Sequence, residues 1–360
     1  MFSNIIPQKR RIFHAGAIPN MLVNNQFLKC VCFLCIDKQN EERKMERTPA
    51  ATSFLVSVPI GDDIEQICAV TARHVIDRSR AYPLYLRLRL TDGNVEDILV
   101  PQDNWTCHPI TDVAVIPVDI PDNADVKYIP LEMLITDGNI ADGGVGLGDD
   151  IVFVGLFTEY SGSKHDRPII RFGNISLMHE EMPLTLTPGC DPIQTDAYLV
   201  EARSWGGESG SPAFVYYAVD REPGIITVGG FDGKQFALLG LTHGHWEMGQ
   251  DVLAPDGNII GSGKVSVNSG IAAIIPAQKI IDTLMKEELE EDRKKDLTAY
   301  RKRAKTPHPD IGLDEKTITK KRFHDIYEVL KMYLEWRVRW SLRRWLVLPS
   351  CEASERFGSK

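Results

Sequence analysis

No run of apolar residues in the chain approaches the roughly 18 to 20 that a membrane span requires, and neither internal repeats nor long low-complexity tracts are present. The opening residues, Met1-Phe2-Ser3-Asn4-Ile5-Ile6-Pro7-Gln8-Lys9-Arg10-Arg11, have no apolar core and no small-residue cleavage site, so a secretory signal is not expected there. A basic surplus is also missing. With 41 Lys and Arg against 50 Asp and Glu the net charge is -9, which argues against a general nucleic-acid-binding role, since such proteins displace phosphate counterions with a basic surface. Cysteine and histidine pairs at metal-ligand spacing are lacking too. Cys32 and Cys35 form a Cys-x-x-Cys inside Val31-Cys32-Phe33-Leu34-Cys35-Ile36, but a strand there sends the two thiols to opposite faces, and no second pair completes a zinc site. The seven cysteines (Cys30, Cys32, Cys35, Cys68, Cys107, Cys190 and Cys351) are an odd set, several of them in strand-like apolar runs. Buried, reduced thiols are expected, with a reducing cytoplasm as the compartment and no metal or organic cofactor.

What the chain does have is length and alternation. Its 360 residues, 43% of them hydrophobic, leave room for two or three compact units with ordinary cores. Residues 1–26 show no period and are expected to form an arm. From residue 27 short β-rich runs follow one another: Phe27 to Ile36, Ala50 to Val58, Gln66 to Thr71, Leu84 to Leu90, Ile98 to Pro101 and Ala114 to Pro117, parted by turn signals such as Asp92-Gly93-Asn94. The segment 137–149 is too glycine-rich to pack well and reads as a connection. A second β set occupies 150–276, including Asp150 to Leu156, Ile169 to Leu177, Ala197 to Ala202, Pro212 to Tyr217, Ile225 to Val228, Phe236 to Leu241 and Gly270 to Ile275. From Ala277 the pattern becomes helical, with a charged helix over 277–305, a basic amphipathic helix over 314–348 and a tail over 349–360.

The most informative stretch is Gly206-Gly207-Glu208-Ser209-Gly210-Ser211-Pro212. A serine set among glycines is lifted out of a tight turn with its neighbours' N–H groups free. Serine is a weak nucleophile at its own pKa, so it needs a base and a group that orients the base. Upstream stand His74, in Val70-Thr71-Ala72-Arg73-His74-Val75-Ile76, and Asp112, in His108-Pro109-Ile110-Thr111-Asp112-Val113-Ala114-Val115.

These three segments and their order resemble the trypsin-like serine proteases. Thr71-Ala72-Arg73-His74 is similar to that family's Thr-Ala-Ala-His, Asp112-Val113-Ala114-Val115 to its Asp-Ile-Ala-Leu, and Gly207-Glu208-Ser209-Gly210 to its Gly-Asp-Ser-Gly. The resemblance covers roughly residues 27–285. Within the superfamily the nearer likeness is to bacterial HtrA-type proteases, through Ile193-Gln194-Thr195-Asp196-Ala197, and to glutamyl endopeptidases, through Gly210-Ser211-Pro212. Asn268-Ser269-Gly270-Ile271-Ala272-Ala273-Ile274-Ile275-Pro276 resembles the closing strand of both. Two departures stand out: the segment from Asp196 to Ser209 is longer than the HtrA spacing, and no PDZ-like segment follows. The resemblance implies an all-β chymotrypsin-like fold of two six-stranded antiparallel barrels, over 27–136 and 150–276, followed by C-terminal helices. It implies an endopeptidase in which His74 is the base, Asp112 orients it, Ser209 attacks, and the N–H groups of Gly207 and Ser209 receive the oxyanion.

Plainer readings compete at each position. Gly-Glu-Ser-Gly-Ser-Pro is also a plain surface turn. His74 is also read as a core histidine partnered by Asp77, and His108 as a rival base or a turn residue beside Pro109. Glu208, where the family usually has Asp, is expected to make a local hydrogen bond, and activation by a cleaved, buried N-terminus is not expected. The family likeness places the wall of the primary specificity pocket at Leu239 to Trp246 and its floor near Arg203 and Ser204. Arg203, Ser204, Thr242, His243 and His245 are thus the candidate substrate-binding residues, and Arg203, His243 and His245 suggest an acidic side chain before the scissile bond. The interleaved basic and aromatic residues from Lys320 to Trp345 suit an anionic membrane surface or a partner helix, or simple packing on the protein itself. Beside a peptidase acting on polypeptides stand two other functions: a silent protease fold used as a binding or sensor module, and a tethered regulatory protein acting through that helix.

Overall fold

The computed structural model describes residues 25–39, 43–61, 64–142, 144–157, 167–184, 192–202, 207–216, 236–253 and 259–305. The arm over 1–24, the run Ile225 to Val228, Arg203, Ser204 and the basic helix expected over 314–348 lie outside them. Contacts divide the chain into one unit over Met1–Ala299 and another over Tyr300–Lys360.

A short helix α1 (Gln26–Lys29) precedes β1 (Val31–Gln39), so Phe27 opens on a helical turn and not on the strand its apolar neighbourhood suggests. Then come β2 (Met45–Gly61), β3 (Ile64–Thr71), α2 (Arg73–Arg78), β4 (Leu84–Arg89), β5 (Val95–Leu99), β6 (Thr106–Cys107), β7 (Ala114–Pro117) and β8 (Ile129–Pro130). In β4 the alternation is plain: Leu84, Leu86 and Leu88 are buried while Tyr85, Arg87 and Arg89 are half-buried. These strands build one eight-stranded sheet in the order β5-β4-β1-β2-β3-β7-β6, with β8 lying parallel alongside β2. The all-β class is what the chain adopts, but this half carries eight strands where six are expected.

The second half meets the expectation of a six-stranded barrel. β9 (Asp150–Gly155), β10 (Ile169–Leu184), β11 (Ile193–Glu201), β12 (Pro212–Tyr216), β13 (Phe236–Leu253) and β14 (Ile259–Pro276) close in the ring β10-β11-β14-β13-β12-β9. Strands β13 and β14 run on as a long hairpin well past the ends expected from the sequence, pairing as far as Leu253 with Ile259. Between the two halves lies α3 (Asp137–Ala141), which the glycine content of 137–149 conceals. Thr136 caps it by accepting from the Asn139 N–H, while the Asn139 side chain accepts from the Thr136 N–H. This reciprocal box satisfies donors that a helix start otherwise leaves open.

The helical stretch after the barrel is two helices, α4 (Ala277–Leu284) and α5 (Glu287–Lys305). Ile280, Leu284 and Leu289 are buried in the core of the first sheet, and Gln66 of β3 donates to Asp296 of α5 at 2.9 Å. Cys30, Cys32, Cys35 and Cys68 are buried free thiols, and Cys107 is a half-buried one. Burial pushes Cys30 and Cys68 up to about 12, so these sulfurs stay protonated and packed. Among the described residues no helix is long and apolar enough to cross a membrane.

Candidate active site

Strand β3 ends at Thr71, Ala72 is extended, and α2 then begins, so His74 sits in a first helical turn whose N–H groups have no partner inside the helix. Asp112 supplies that partner. Its Oδ1 accepts the His74 backbone N–H at 2.8 Å, and its Oδ2 accepts from His74 Nδ1 at 2.7 Å. The carboxylate comes from the turn before β7, where Val113 donates to Thr111 and His108 donates to Val113. The hydroxyl groups of Thr111 and Thr195 meet at 2.7 Å, tying this turn to β11 of the barrel. Asp112 is wholly buried and His74 nearly so. Burial alone would raise the Asp112 carboxyl, but His74 and His243 outweigh it and hold it well below the usual carboxylate range.

The alternative partner weighed for this histidine, Asp77, and the rival base, His108, are engaged elsewhere. Asp77 pairs with Arg73 at 3.4 Å and Arg80 at 3.1 Å. His108 accepts the Ile110 N–H on Nδ1 at 3.3 Å, within its own turn. Burial lowers His108 to about 4, so its ring is neutral.

Ser209 lies on the tight loop between β11 and β12. Gly207 and Gly210 both take positive φ, 91° and 83°, a conformation that side chains with a Cβ rarely adopt. Gly210 is also confined in space, because a Cβ there would stand 2.3 Å from both the Thr52 carbonyl oxygen and Thr71 Oγ1. The first sheet grips this loop directly. Thr52 donates from Oγ1 to the Gly207 carbonyl at 2.8 Å and from its N–H to the Ser209 carbonyl at 3.2 Å. Gly210 N–H donates to Thr242 of β13 and Ser211 N–H to Glu208, both at 2.8 Å. Glu208 is buried and ion-paired with Arg171 of β10. Its side chain thus meets the barrel wall, and its local contact, with the Ser211 N–H, is made by the main-chain carbonyl. Among hydrogen bonds between described residues, the N–H groups of Gly207 and Ser209 are not donors. His74, Gly207, Glu208 and Ser209 line one cleft of about 650 Å³, together with Ile36, Val75, Leu184, His243, His245 and Trp246.

No family model and no curated protein matches the chain. Solved structures do. The MamO protease domain from Magnetospirillum magneticum, in its apo form, is similar at a TM-score of 0.41 and 13% identity, over 72% of this chain and 98% of that one. The Rv3671c protease from M. tuberculosis, in its active form, is similar at a TM-score of 0.36 and 15% identity, over 78% of this chain and 93% of that one. Likenesses so distant do not speak for the chemistry of the site, which its own contacts describe.

Those contacts bring together His74 and Asp112 and place Ser209 in the same cleft, with its hydroxyl donating to the His243 backbone carbonyl at 3.1 Å. They part the expected substrate-binding set. His243 lines the cleft, but its Nδ1 is engaged with the Asp112 carboxylate, 2.5 Å from Oδ2. His243 stands at a register shift in β13 between Thr242 and Gly244, where one extra residue changes which side chains share a face of the strand. Thr242 is buried, its main chain held by Gly210 and Ser211. His245 lines the cleft beside Trp246. Arg171 and Thr52 have no signal in the sequence motifs, because each meets the nucleophile loop from a strand distant from it in sequence.

His74, Asp112 and His243 each offer one donor atom, all within 4.8 Å of one another, the number a three-ligand metal site needs. Their direct contacts of 2.7 and 2.5 Å are hydrogen-bond lengths. Ligands around a zinc ion at about 2.0–2.1 Å stand ~3.3 Å apart, so the group is closed as a carboxylate taking two imidazole N–H donors.

Proposed function

We propose that the protein is a serine endopeptidase acting on polypeptides. The observation that carries this reading is the double grip of Asp112 on His74. Bonded through both its main-chain N–H and Nδ1–H, His74 keeps Nε2 as its basic nitrogen, in the cleft that also holds Ser209. His74 Nε2 takes the proton from Ser209 Oγ as that oxygen attacks a peptide carbonyl, and the imidazolium is stabilised by Asp112. The tetrahedral oxyanion is received by the N–H groups of Gly207 and Ser209. Collapse breaks the C–N bond, the proton passes from His74 to the leaving amine, and water then repeats the sequence on the acyl-enzyme ester. A preference for acidic residues before the scissile bond belongs to this proposal through His245 and Arg203, since the ring of His243 is used on Asp112.

One observation favours a second reading, a silent protease fold serving as a binding module: the Ser209 hydroxyl is given to a main-chain carbonyl. A fluorophosphonate probe decides between the two. Covalent labelling of the wild type that disappears in Ser209→Ala supports the peptidase, and an unlabelled wild type sinks it. A peptide library then reads specificity, and cleavage after Lys or Arg would refute the acidic preference.

A further inference from the structure

Asp112 serves two imidazoles. Its Oδ2 accepts from Nδ1 of both His74 and His243, while Oδ1 takes the His74 main-chain N–H. An ionised carboxylate has lone pairs enough for all three donors. Each Nδ1 thereby carries its proton, leaving Nε2 as the acceptor on both rings. The rings meet edge to face with centroids 5.2 Å apart. His243 reaches the other end of the apparatus through its main chain, where its carbonyl accepts the Ser209 hydroxyl. One residue therefore touches both the acid and the nucleophile.

We propose that His243 is a positioning residue: its ring clamps the Asp112 carboxylate, and its carbonyl parks the Ser209 hydroxyl between turnovers. The inference deepens the peptidase reading and rests on it for the reaction, whereas the clamp itself exists without turnover. To attack, the hydroxyl turns about its Cα–Cβ bond from the His243 carbonyl to His74 Nε2, exchanging one hydrogen bond for another. The charged groups of the neighbouring elements are otherwise occupied. On α2, Arg73 and Asp77 pair with each other; before β7, His108 is held in its own turn; on the nucleophile loop, Glu208 pairs with Arg171. Among the described residues the Asp112 carboxylate is therefore left to the two histidines. A ring so used fixes geometry and does not choose substrates, so its loss falls on kcat.

Proton NMR and steady-state hydrolysis of the full chain test this with His243→Phe, which keeps a ring but no donor, and His243→Asn, whose Nδ2 takes the place of Nδ1. The wild type is expected to show two slowly exchanging downfield imidazole N–H signals. Asp112→Asn should remove both, and either His243 variant should remove one. His243→Phe should lower kcat about ten- to a hundredfold at unchanged KM, and His243→Asn should recover most of that. A single downfield signal in the wild type overturns the clamp. Wild-type kcat with a raised KM or an altered cleavage preference in His243→Phe overturns the positioning role and returns His243 to the substrate pocket. Two signals in a wild type that neither labels nor hydrolyses sink the peptidase reading alone and leave the clamp standing. If His243→Phe does not fold, the wild-type spectrum and His243→Asn carry the test.

Discussion

Asp112 concentrates the electrostatics of the site on one side chain. Because His74 and His243 hold its carboxyl below the usual range, folding is stabilised by its ionised form. That contribution is fully present above the ordinary carboxylate value of about 4 and is lost as pH falls toward the lower folded value. Thermal melts from pH 7 to pH 3 should therefore fall more steeply below pH 4 for the wild type than for Asp112→Asn. The same substitution should reduce kcat by a factor on the order of 10³ to 10⁴, since His74 loses the acceptor that sets its tautomer. His108 works with the opposite charge in a higher window. Its folded value of about 4 means that the unfolded chain takes up a proton first as pH falls below about 6.5. Stability should thus decline between about pH 6.5 and 4, and His108→Asn, which keeps an acceptor for the Ile110 N–H, should flatten that part of the curve. At this scale the meeting of His74 with Asp112 was legible, because each lies in a short motif whose neighbours set its direction. The place of His243 was not, because one inserted residue in a strand exchanges its faces.

The nucleophile loop is the element on which the two halves converge. Gly210 combines a positive φ with a space already filled by Thr52 and Thr71. Gly210→Ala therefore meets both backbone strain and a main-chain clash. A loss of at least about 2 kcal/mol is expected in denaturant unfolding, with labelling of Ser209 lost. The Arg171–Glu208 pair, with side chains 15% and 6% exposed, makes a sharper prediction. Arg171→Met alone leaves a buried carboxylate without its cation and should destabilise by about 3–5 kcal/mol, whereas Arg171→Met with Glu208→Gln should recover much of that loss. Chemical denaturation of the two variants measures the difference, and equal stabilities would show that the pair is not coupled. Glycine and serine announced the turn. Its anchoring to β10 was hidden, since a lone arginine in an alternating strand resembles any solvated charge. Similarly, α3 was masked by the glycines around it, although the Thr136 and Asn139 spacing that caps it stands in the sequence.

In the described unit one apolar cluster takes in residues of the eight-stranded sheet, of several barrel strands and of α4 and α5, Leu289 among them, while a second, with Ile151, Tyr198, Val200 and Leu239, fills the barrel. Leu289→Ala should thus weaken the whole unit by about 2–4 kcal/mol in a single unfolding transition; a loss confined to the helices, with the β signal unchanged, would contradict this. Length, alternation and glycine placement determined by themselves that the chain is rich in short strands parted by turns, because these properties are local and repeat with the period of a strand, while the three side chains to suspect came from the likeness of their short motifs to those of the trypsin-like proteases. The tertiary structure alone decided that one sheet has eight strands and the other closes on six, that Glu208 meets Arg171, and that Asp112 divides its carboxylate between two imidazoles. Those outcomes depend on contacts between residues up to 131 positions apart, whose geometry is set by bulges and closure that no local pattern encodes.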